Sequence, residues 1–473
     1  MESITEKTQP DLFLNVNSIT KENLGDALQQ AIEIEIATIP TYLFTYYSIN
    51  RTPDQESIFA PLKQALMNKG MQEKEAHDMA LNFSADIMVF ANKAGALIMS
   101  VAIEEMLHMS LSSNLKQALA GLPELVGKSP VFPTTLPGHI PPFTIYRTKL
   151  TQEQLITFLK IESPTALPLN LKAQKEPIAY KTIGEFYDEI KEFIKTNDLK
   201  YMTFTPQLIP GKGYYGQNNI DTIYYNKEHK PRLVNAPDSG DLVHVTNRDT
   251  AIQAIEIIVD QGEGNQKVPG LIFKDGKAIV NCEIYKGDYD DKNMQEISHF
   301  EKFSRIYCQY AELSARFAAL GLDPAIDFSN YFVLNFKTDV TTAEYPANLQ
   351  LISNLINAVY TYIFVMTEGC YKHSGNTQYE IFMFGIHKSM IFILNSLCSD
   401  FTAKTFTASD GKTYQCAPTF EDYPFDLHAL TSPFPTPVSP KQQLISLYNS
   451  ALAVFPTLGY LAQRFQDLPD VAL

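Results

Sequence analysis

Two adjacent carboxylates and a histidine interrupt an apolar run in the stretch 101-VAIEEMLHMSLSSNLKQALAGLPEL-125. Burying an ionised carboxylate is costly unless it is paired or binds a metal. In a helix, Glu105 and His108 lie one turn apart on the same face, with Glu104 beside them. A Glu-x-x-His turn of this kind can supply two ligands to a metal site inside a helix bundle.

Other segments offer matching groups. Glu35 lies on a helical stripe with Leu28 and Tyr42, and 296-EISHF-300 repeats the Glu-x-x-His spacing with Glu296 and His299. Carboxylates and imidazoles together suit divalent iron or manganese. Open coordination positions would let dioxygen or peroxide bind. We therefore predict a di-metal centre, with iron as the expected metal and manganese as the alternative.

The third helix of such a bundle should add one more carboxylate, and two residues compete for that place. Glu263 follows a helix beginning near Asp249, and Glu185 lies in 181-KTIGEFYDEIKEFIKTN-197. Consecutive bundle helices tend to run antiparallel, which places Glu263 level with Glu296 and His299. We favour Glu263 over Glu185 as a direct ligand.

Each of these residues also has an ordinary interpretation. A lone Glu in an amphipathic helix is usually solvated, a lone buried His is usually hydrogen-bonded in the core, and Tyr42 could be a packed aromatic residue. Glu33 lies on a stripe with Asp26 and Gln30 that should face water, so we do not predict it as a ligand.

Helical apolar periodicity and end signals predict the elements that position these residues. The predicted helices cover residues 20–50, 82–120, 181–197, 249–264, 292–320, 346–371, 377–400 and 441–465. Pro40 should kink the first helix, and Asp249 is the expected N-cap of the fourth. Residues 122–178 are rich in proline and predict a long ordered crossover.

Composition limits the function classes. The chain has 473 residues, 45% of them apolar, a net charge of −15 and a pI near 5.1. That charge argues against nucleic acid and against anionic membranes as partners. The apolar stretch 379–398 contains charged and polar residues and predicts a buried helix rather than a membrane span. Five scattered cysteines and the lack of a secretory signal predict reduced thiols and a cytoplasmic location.

Several stretches resemble the ferritin-like iminophenyl-pyruvate dimer synthase family, in the same order along the chain. They are 31-AIEIEIATIPTYLFTYYSI-49, 104-EEMLHMSLSSNLKQALAGLP-123, 182-TIGEFYDEI-190, 260-DQGEG-264 with 298-SHFEKF-303, and 351-LISNLINAVYTYIF-364. That family includes the ferritin-like part of the tryptophan-dimer synthases of violacein and rebeccamycin assembly. The second stretch is also similar to the second helix of bacterioferritins.

The resemblance implies an oxidative step on a small molecule in specialised-metabolite biosynthesis. In the tryptophan branch, two imino acids derived from an aromatic amino acid are joined through carbon. This chain lacks the long additional region of those larger enzymes, contains no tryptophan and has 25 tyrosines. The resemblance therefore supports the fold of this chain more strongly than it supports the identity of its substrate.

We accordingly predict an all-α protein built on a ferritin-like four-helix bundle, with a proline-rich crossover, irregular inserts and extra C-terminal helices. The bundle domain is expected at 1–408, with inserts at 122–178, 198–246 and 265–291, and an extension at 409–473. The metal ligands are expected at Glu35, Glu105, His108, Glu185, Glu263, Glu296 and His299. Glu104 should orient an imidazole, and Tyr42 should donate to a ligand or act in redox chemistry.

The preferred function is a di-iron oxidoreductase, with a small-molecule substrate, dioxygen or peroxide, and a homodimer as the expected partners. Two alternatives remain open. A ferritin-type iron store would need a shell-forming oligomer, which the inserts should obstruct. A non-catalytic metal-binding or scaffold protein would keep the ligands without a reaction.

Overall fold

Helices dominate the computed structural model, which describes residues 19–164, 180–209, 242–262, 271–274, 277–285, 297–322, 327–426 and 439–470. The helices are α1 (Leu24–Tyr47), α2 (Gln55–Asn68), α3 (Glu73–Leu119), α4 (Gln152–Ile161), α5 (Ile183–Thr196), α6 (Arg248–Gln261), α7 (His299–Ala319), α8 (Ala347–Cys370), α9 (Gly375–Thr402), α10 (Pro440–Val454) and α11 (Ala462–Gln466). This content confirms the predicted all-α class.

The longest helix, α3, is the centre of the packing. It contacts α1, α2, α6 and α7, while α4 packs on α7 and α5 packs on α6. At 1.5 Å per residue it is about 70 Å long, which exceeds the length predicted from residue 82 onward. Its C-terminal half is buried almost all round, and this is the half that carries Glu105 and His108.

The other partner in the core, α1, is buried on nearly every side along its whole length. Pro40 lies inside this helix, and the helix continues to Tyr47 rather than ending near the proline. Glu35 therefore belongs to an unbroken helix that packs along α3.

The proline-rich crossover contains a helix that the sequence analysis did not predict. Thr151 caps α4 by accepting a hydrogen bond from Gln154 N, and the helix ends with Glu162 as its C-cap residue. Because α4 packs against α7, its C-terminal end can reach the bundle interior. The short helix α2 was not predicted either.

The start of α7 differs from the prediction. The helix begins at His299, with Ser298 as the N-cap, rather than near residue 292. His299 is therefore the first residue of α7, and Glu296, its predicted partner in a second Glu-x-x-His turn, lies outside the described residues. The N-cap of α6 is also corrected, from Asp249 to Asn247, whose side chain forms a capping box with Thr250.

Strands are few in the described part of the chain. Two antiparallel hairpins pair Ile272–Lys274 with Lys277–Ile279, and Thr405–Thr407 with Thr413–Gln415. Just after the first hairpin, Cys282 forms a disulfide with Cys308 of α7. The prediction that all five cysteines are reduced is wrong for this pair, so cysteine usage no longer supports a cytoplasmic location, which stays a prediction.

The C-terminal helices pack on one another beside the bundle. α8 contacts both α9 and α10, and α9 contains wide π-helical turns at Ile381–His387 and Ser389–Leu394. By length and composition alone, α3, α8 and α9 could each cross a membrane, but 78%, 83% and 61% of their apolar windows are buried inside the fold. The boundary predicted at residue 408 stays a prediction.

Candidate metal centre

Four of the predicted ligands meet in the bundle interior. Glu35 comes from the middle of α1, Glu105 and His108 from α3, and His299 from the first position of α7. None of the four is more than 3% exposed. One ligand atom each of Glu105, His108 and His299 lies within 4.8 Å of the others, close enough to bind a single ion.

A fifth donor was missed by the sequence analysis. Glu162, at the end of α4, is 3% exposed, and its Oε2 lies 3.6 Å from Nδ1 of His299. Among the described residues it therefore supplies the additional carboxylate for which Glu263 and Glu185 were predicted, and Glu263 stays a prediction. The amphipathic spacing of 151-TQEQLITFLKI-161, after a threonine cap, was the signal that could have revealed this helix and its terminal carboxylate.

The remaining predicted ligands lie elsewhere or outside the described residues. Glu185 is exposed near the start of α5, where its Oε2 accepts a hydrogen bond from Lys181 N at 2.9 Å. Its position in the first turn makes it a helix-capping residue, which corrects its assignment as a ligand. Glu263 and Glu296 lie outside the described residues.

Both imidazoles are oriented by a hydrogen bond at Nε2. Nε2 of His108 donates to Gln261 Oε1 at 2.9 Å, and Nε2 of His299 donates to Glu104 Oε2 at 2.8 Å. The two rings are stacked with their centroids 5.2 Å apart. Each histidine therefore keeps Nδ1 as its free nitrogen, as a metal-binding imidazole does when its other nitrogen is hydrogen-bonded.

Nδ1 of each histidine lies near a carboxylate oxygen. Nδ1 of His299 is 2.8 Å from Glu105 Oε1, yet the geometry is not that of a hydrogen bond and the buried nitrogen has no hydrogen-bond partner. Nδ1 of His108 is 3.8 Å from Glu35 Oε2. Buried polar atoms are normally paired, so this arrangement fits a cation bound between nitrogen and oxygen donors.

Each of the three carboxylates in the cluster accepts a hydrogen bond from a buried hydroxyl group. Tyr42 donates a hydrogen bond to Glu162, Tyr187 donates one to Glu35, and Thr38 Oγ1 donates to Glu105 Oε2 at 2.7 Å. Burial, followed by the neighbouring carboxylates, raises the pKa of both tyrosines well above its usual value. Both phenols are therefore neutral donors, and the predicted donation from Tyr42 to a candidate ligand is present.

The charges of the cluster are unbalanced without a cation. Burial, and then Glu105, raises the pKa of Glu35 well above its usual value. Burial alone would lower the pKa of His299, but the adjacent carboxylates of Glu104, Glu105 and Glu162 outweigh it and raise that pKa well above its usual value. The carboxylates around His299 thus favour a positive charge at this point, which a bound metal ion would supply.

One buried cation lies beside the cluster and is already paired. Lys302, one turn after His299, donates to Glu104 Oε1 at 2.7 Å. Burial would raise the pKa of Glu104, but Lys302 and His299 outweigh it and hold that pKa at about 2. Glu104 is therefore ionised behind His299, as predicted for a residue that orients an imidazole, and Lys302 does not neutralise Glu35, Glu105 or Glu162.

A sequence model of ferritin-like proteins matches residues 28–308, a span that contains all five donors. This chain belongs to the ferritin-like family. No curated protein matches it. Among solved structures, it is similar to a ferritin-like protein from Caulobacter vibrioides, with 18% identity over 76% of this chain and 92% of that chain and a TM-score of 0.39. The predicted ferritin-like fold is confirmed, and the narrower synthase resemblance stays a proposal.

Proposed function

We propose that this ferritin-like protein is an oxidoreductase that uses a dinuclear metal centre, loaded with iron, to oxidise a small organic substrate. The observation that supports this most directly is the convergence of three carboxylates and two imidazoles, from four helices, on one buried point. Buried carboxylates without a counter-charge are costly, and metal binding removes that cost. The mixed oxygen and nitrogen donor set suits iron or manganese.

The donors divide into two halves around Glu105. Glu35 and His108 form one half, with 3.8 Å between Oε2 and Nδ1, and Glu162 and His299 form the other, with 3.6 Å between Oε2 and Nδ1. Glu105 interacts with the carboxyl of Glu35 and lies against His299, so it can serve both halves. A metal pair held this way supplies one-electron redox chemistry and open positions for an oxidant.

The resemblance to the iminophenyl-pyruvate dimer synthases supports an aromatic imino acid as the substrate. The expected reaction removes one hydrogen from each of two imino-acid molecules and forms one carbon–carbon bond between them. The two electrons and two protons released reduce one hydrogen peroxide to two waters, or one dioxygen to hydrogen peroxide. Tyr42, Tyr187 and Thr38 would hold in place the carboxylates that bind the metal pair.

Metal analysis and product analysis together test this proposal. Apo protein is loaded anaerobically with ferrous ion and analysed for metal, and we expect about two ions per chain. The loaded protein is then given hydrogen peroxide and an aromatic imino acid generated in place from its amino acid, and coupled products are sought by mass spectrometry. Binding of no metal, or of one ion only, would contradict the dinuclear centre.

One observation favours a second candidate, a non-catalytic metal-binding or scaffold protein. All five donors are buried. A cavity of about 630 Å³ in the described part, where a small molecule could bind, lies instead at the start of α3, and it is lined by Gln72, Asp78, Phe83 and Arg316 among others. Phe83 precedes Glu105 by about 33 Å along that helix. Metal binding without any peroxide-dependent or dioxygen-dependent turnover would favour this candidate, and a shell-sized particle would favour iron storage.

A further inference from the structure

The groups behind the two imidazoles are different. Nε2 of His108 donates to a neutral amide oxygen of Gln261, whereas Nε2 of His299 donates to a carboxylate oxygen of Glu104. Gln261 is the last residue of α6, and Glu104 directly precedes Glu105 on α3. The two histidines are therefore similarly buried, but their Nε2 atoms contact groups of different charge.

The rest of the two halves is closely matched. Each half has one carboxylate of its own, Glu35 or Glu162, and each carboxylate accepts a hydrogen bond from one buried tyrosine. Each carboxylate lies at a similar distance from its histidine, 3.8 Å and 3.6 Å. Among the described residues, the clearest difference between the halves is the charge of the group behind each imidazole, neutral for Gln261 and ionised for Glu104.

A carboxylate behind an imidazole strengthens it as a ligand, because the charged acceptor draws the Nε2 proton and increases the electron density at Nδ1. An amide oxygen accepts the same proton but carries no charge, so its effect is smaller. Lys302 fixes the carboxylate of Glu104 in place through its ammonium group. Removing a partner of this kind typically changes metal affinity by about 10- to 100-fold.

We propose that Glu104, held by Lys302, and Gln261 are positioning residues that make the two metal positions unequal. The position served by His299 and Glu162 binds its ion more tightly and fills first, and the position served by His108 and Glu35 fills second. This inference rests on the dinuclear centre proposed above and adds to it an order of filling.

Titration of the apo protein with manganese(II) alone tests the order. We expect the spectrum of isolated ions by electron paramagnetic resonance up to one ion per chain, and the spectrum of exchange-coupled pairs only as the second ion enters. Competition with a chelator should give two dissociation constants that differ by about 10-fold or more. Equal and independent positions would instead show coupled pairs well before one ion per chain is reached.

Two reciprocal variants assign the cause. Glu104→Gln gives both imidazoles an amide partner, so the tighter constant should weaken about 10-fold and the two steps should merge. Gln261→Glu gives both a carboxylate partner, so the weaker constant should tighten. Glu301→Gln is the matched control, since it removes a charge from the same helix as His299 at a residue that contacts Arg305 instead. Its two steps should match those of the unchanged protein.

The outcomes separate this inference from the proposed function. Two ions that enter together in the unchanged protein, or two separate steps that persist in Glu104→Gln, would overturn the inequality and leave the dinuclear centre intact. Binding of one ion or none would overturn both. Thermal unfolding of each variant shows whether it is folded. If Glu104→Gln does not fold, the tightening expected in Gln261→Glu decides, and its absence overturns the proposal.

Discussion

The two histidines of the centre reach it in different ways. His108 lies deep inside α3, where the turns before and after it fix its direction, and Glu105 is one turn away on the same face. His299 is the first residue of α7, so no helical turn precedes it and a capping serine stands before it. One ligand is positioned by the interior of a helix and the other by a helix start.

This difference bears on how much each of the two Glu-x-x-His motifs could predict. In a helix, a spacing of three residues places two side chains on one face. Outside a helix, the same spacing carries no such meaning. The first motif therefore pairs Glu105 with His108. The second contributes His299, Glu296 lies outside the described residues, and Glu162 from α4 places a carboxylate beside His299.

The largest effect should follow from removing the carboxylate that serves both histidines. Glu105→Ala removes the oxygen 2.8 Å from His299 and the neighbour of Glu35, so we expect both metal positions to be lost. His108→Ala should likewise abolish metal-dependent activity. Elemental analysis of the loaded variants measures the loss of metal, and assays of peroxide-dependent or dioxygen-dependent turnover measure the loss of activity.

Glu33→Ala is the control for that change. Glu33 lies two residues before Glu35 on α1 and pairs with Lys128 at 3.0 Å, away from the cluster. It should keep two ions per chain. If Glu33→Ala lost its metal while Glu105→Ala kept it, the face of the helices assigned to the metal centre would be wrong.

A smaller effect is expected from the carboxylate of the His299 half. Glu162→Ala removes a donor from one half only, so one metal position should empty and the other should remain. Glu185→Ala changes an exposed carboxylate of α5 and should leave both. Manganese stoichiometry measured on both variants tests this pair, and the opposite pattern would restore Glu185 as the ligand.

Most of the bundle could be predicted from the sequence because its helices are long and periodic. Glu35, Glu105 and His108 were found because α1 and α3 are continuous through them, so apolar spacing fixed which face is buried. His299 was also found, although its helix begins at that residue rather than near residue 292 as predicted. Long helices thus carry enough local information to place their side chains.

The remainder depends on contacts that local patterns do not encode. Glu162 ends a ten-residue helix in a proline-rich region, where nothing in the sequence indicates that α4 packs on α7. Gln261 contacts His108 across 153 positions, and Cys282 pairs with Cys308 within scattered cysteines. Such partners follow from how the helices pack against one another, which residue spacing does not reveal.

The tyrosines allow the two halves to be weakened one at a time. Tyr42→Phe removes the donor to Glu162 and should loosen the His299 position, whereas Tyr187→Phe removes the donor to Glu35 and should loosen the His108 position. Each affinity should fall by about 10-fold, the lower end of the usual range for such partners. Chelator competition measures the two constants separately.

Tyr362→Phe is the control for the tyrosine pair. It removes a buried hydroxyl of α8 that donates to the carbonyl of Pro469 at 2.8 Å, so a comparable hydrogen bond is lost without a contact to the centre. Both metal constants should stay unchanged. If Tyr42→Phe and Tyr187→Phe weakened the same position, the division of the donors into two halves would be incorrect.

The smallest effect concerns the helix start itself. Ser298 accepts a hydrogen bond from Glu301 N at 3.3 Å and caps α7, and Asn247 accepts one from Thr250 N at 3.0 Å and caps α6. Replacing either by alanine should cost about 1 kcal/mol of stability.

The two caps differ in their distance from the metal centre. Ser298 is next to the ligand His299, whereas Asn247 lies about 20 Å from Gln261, at the opposite end of α6. Ser298→Ala should therefore weaken manganese binding at the His299 position several-fold, while Asn247→Ala lowers the unfolding temperature to a similar extent and leaves both constants unchanged. Equal weakening in both variants would show that metal affinity follows overall stability, and that the cap has no particular part in positioning His299.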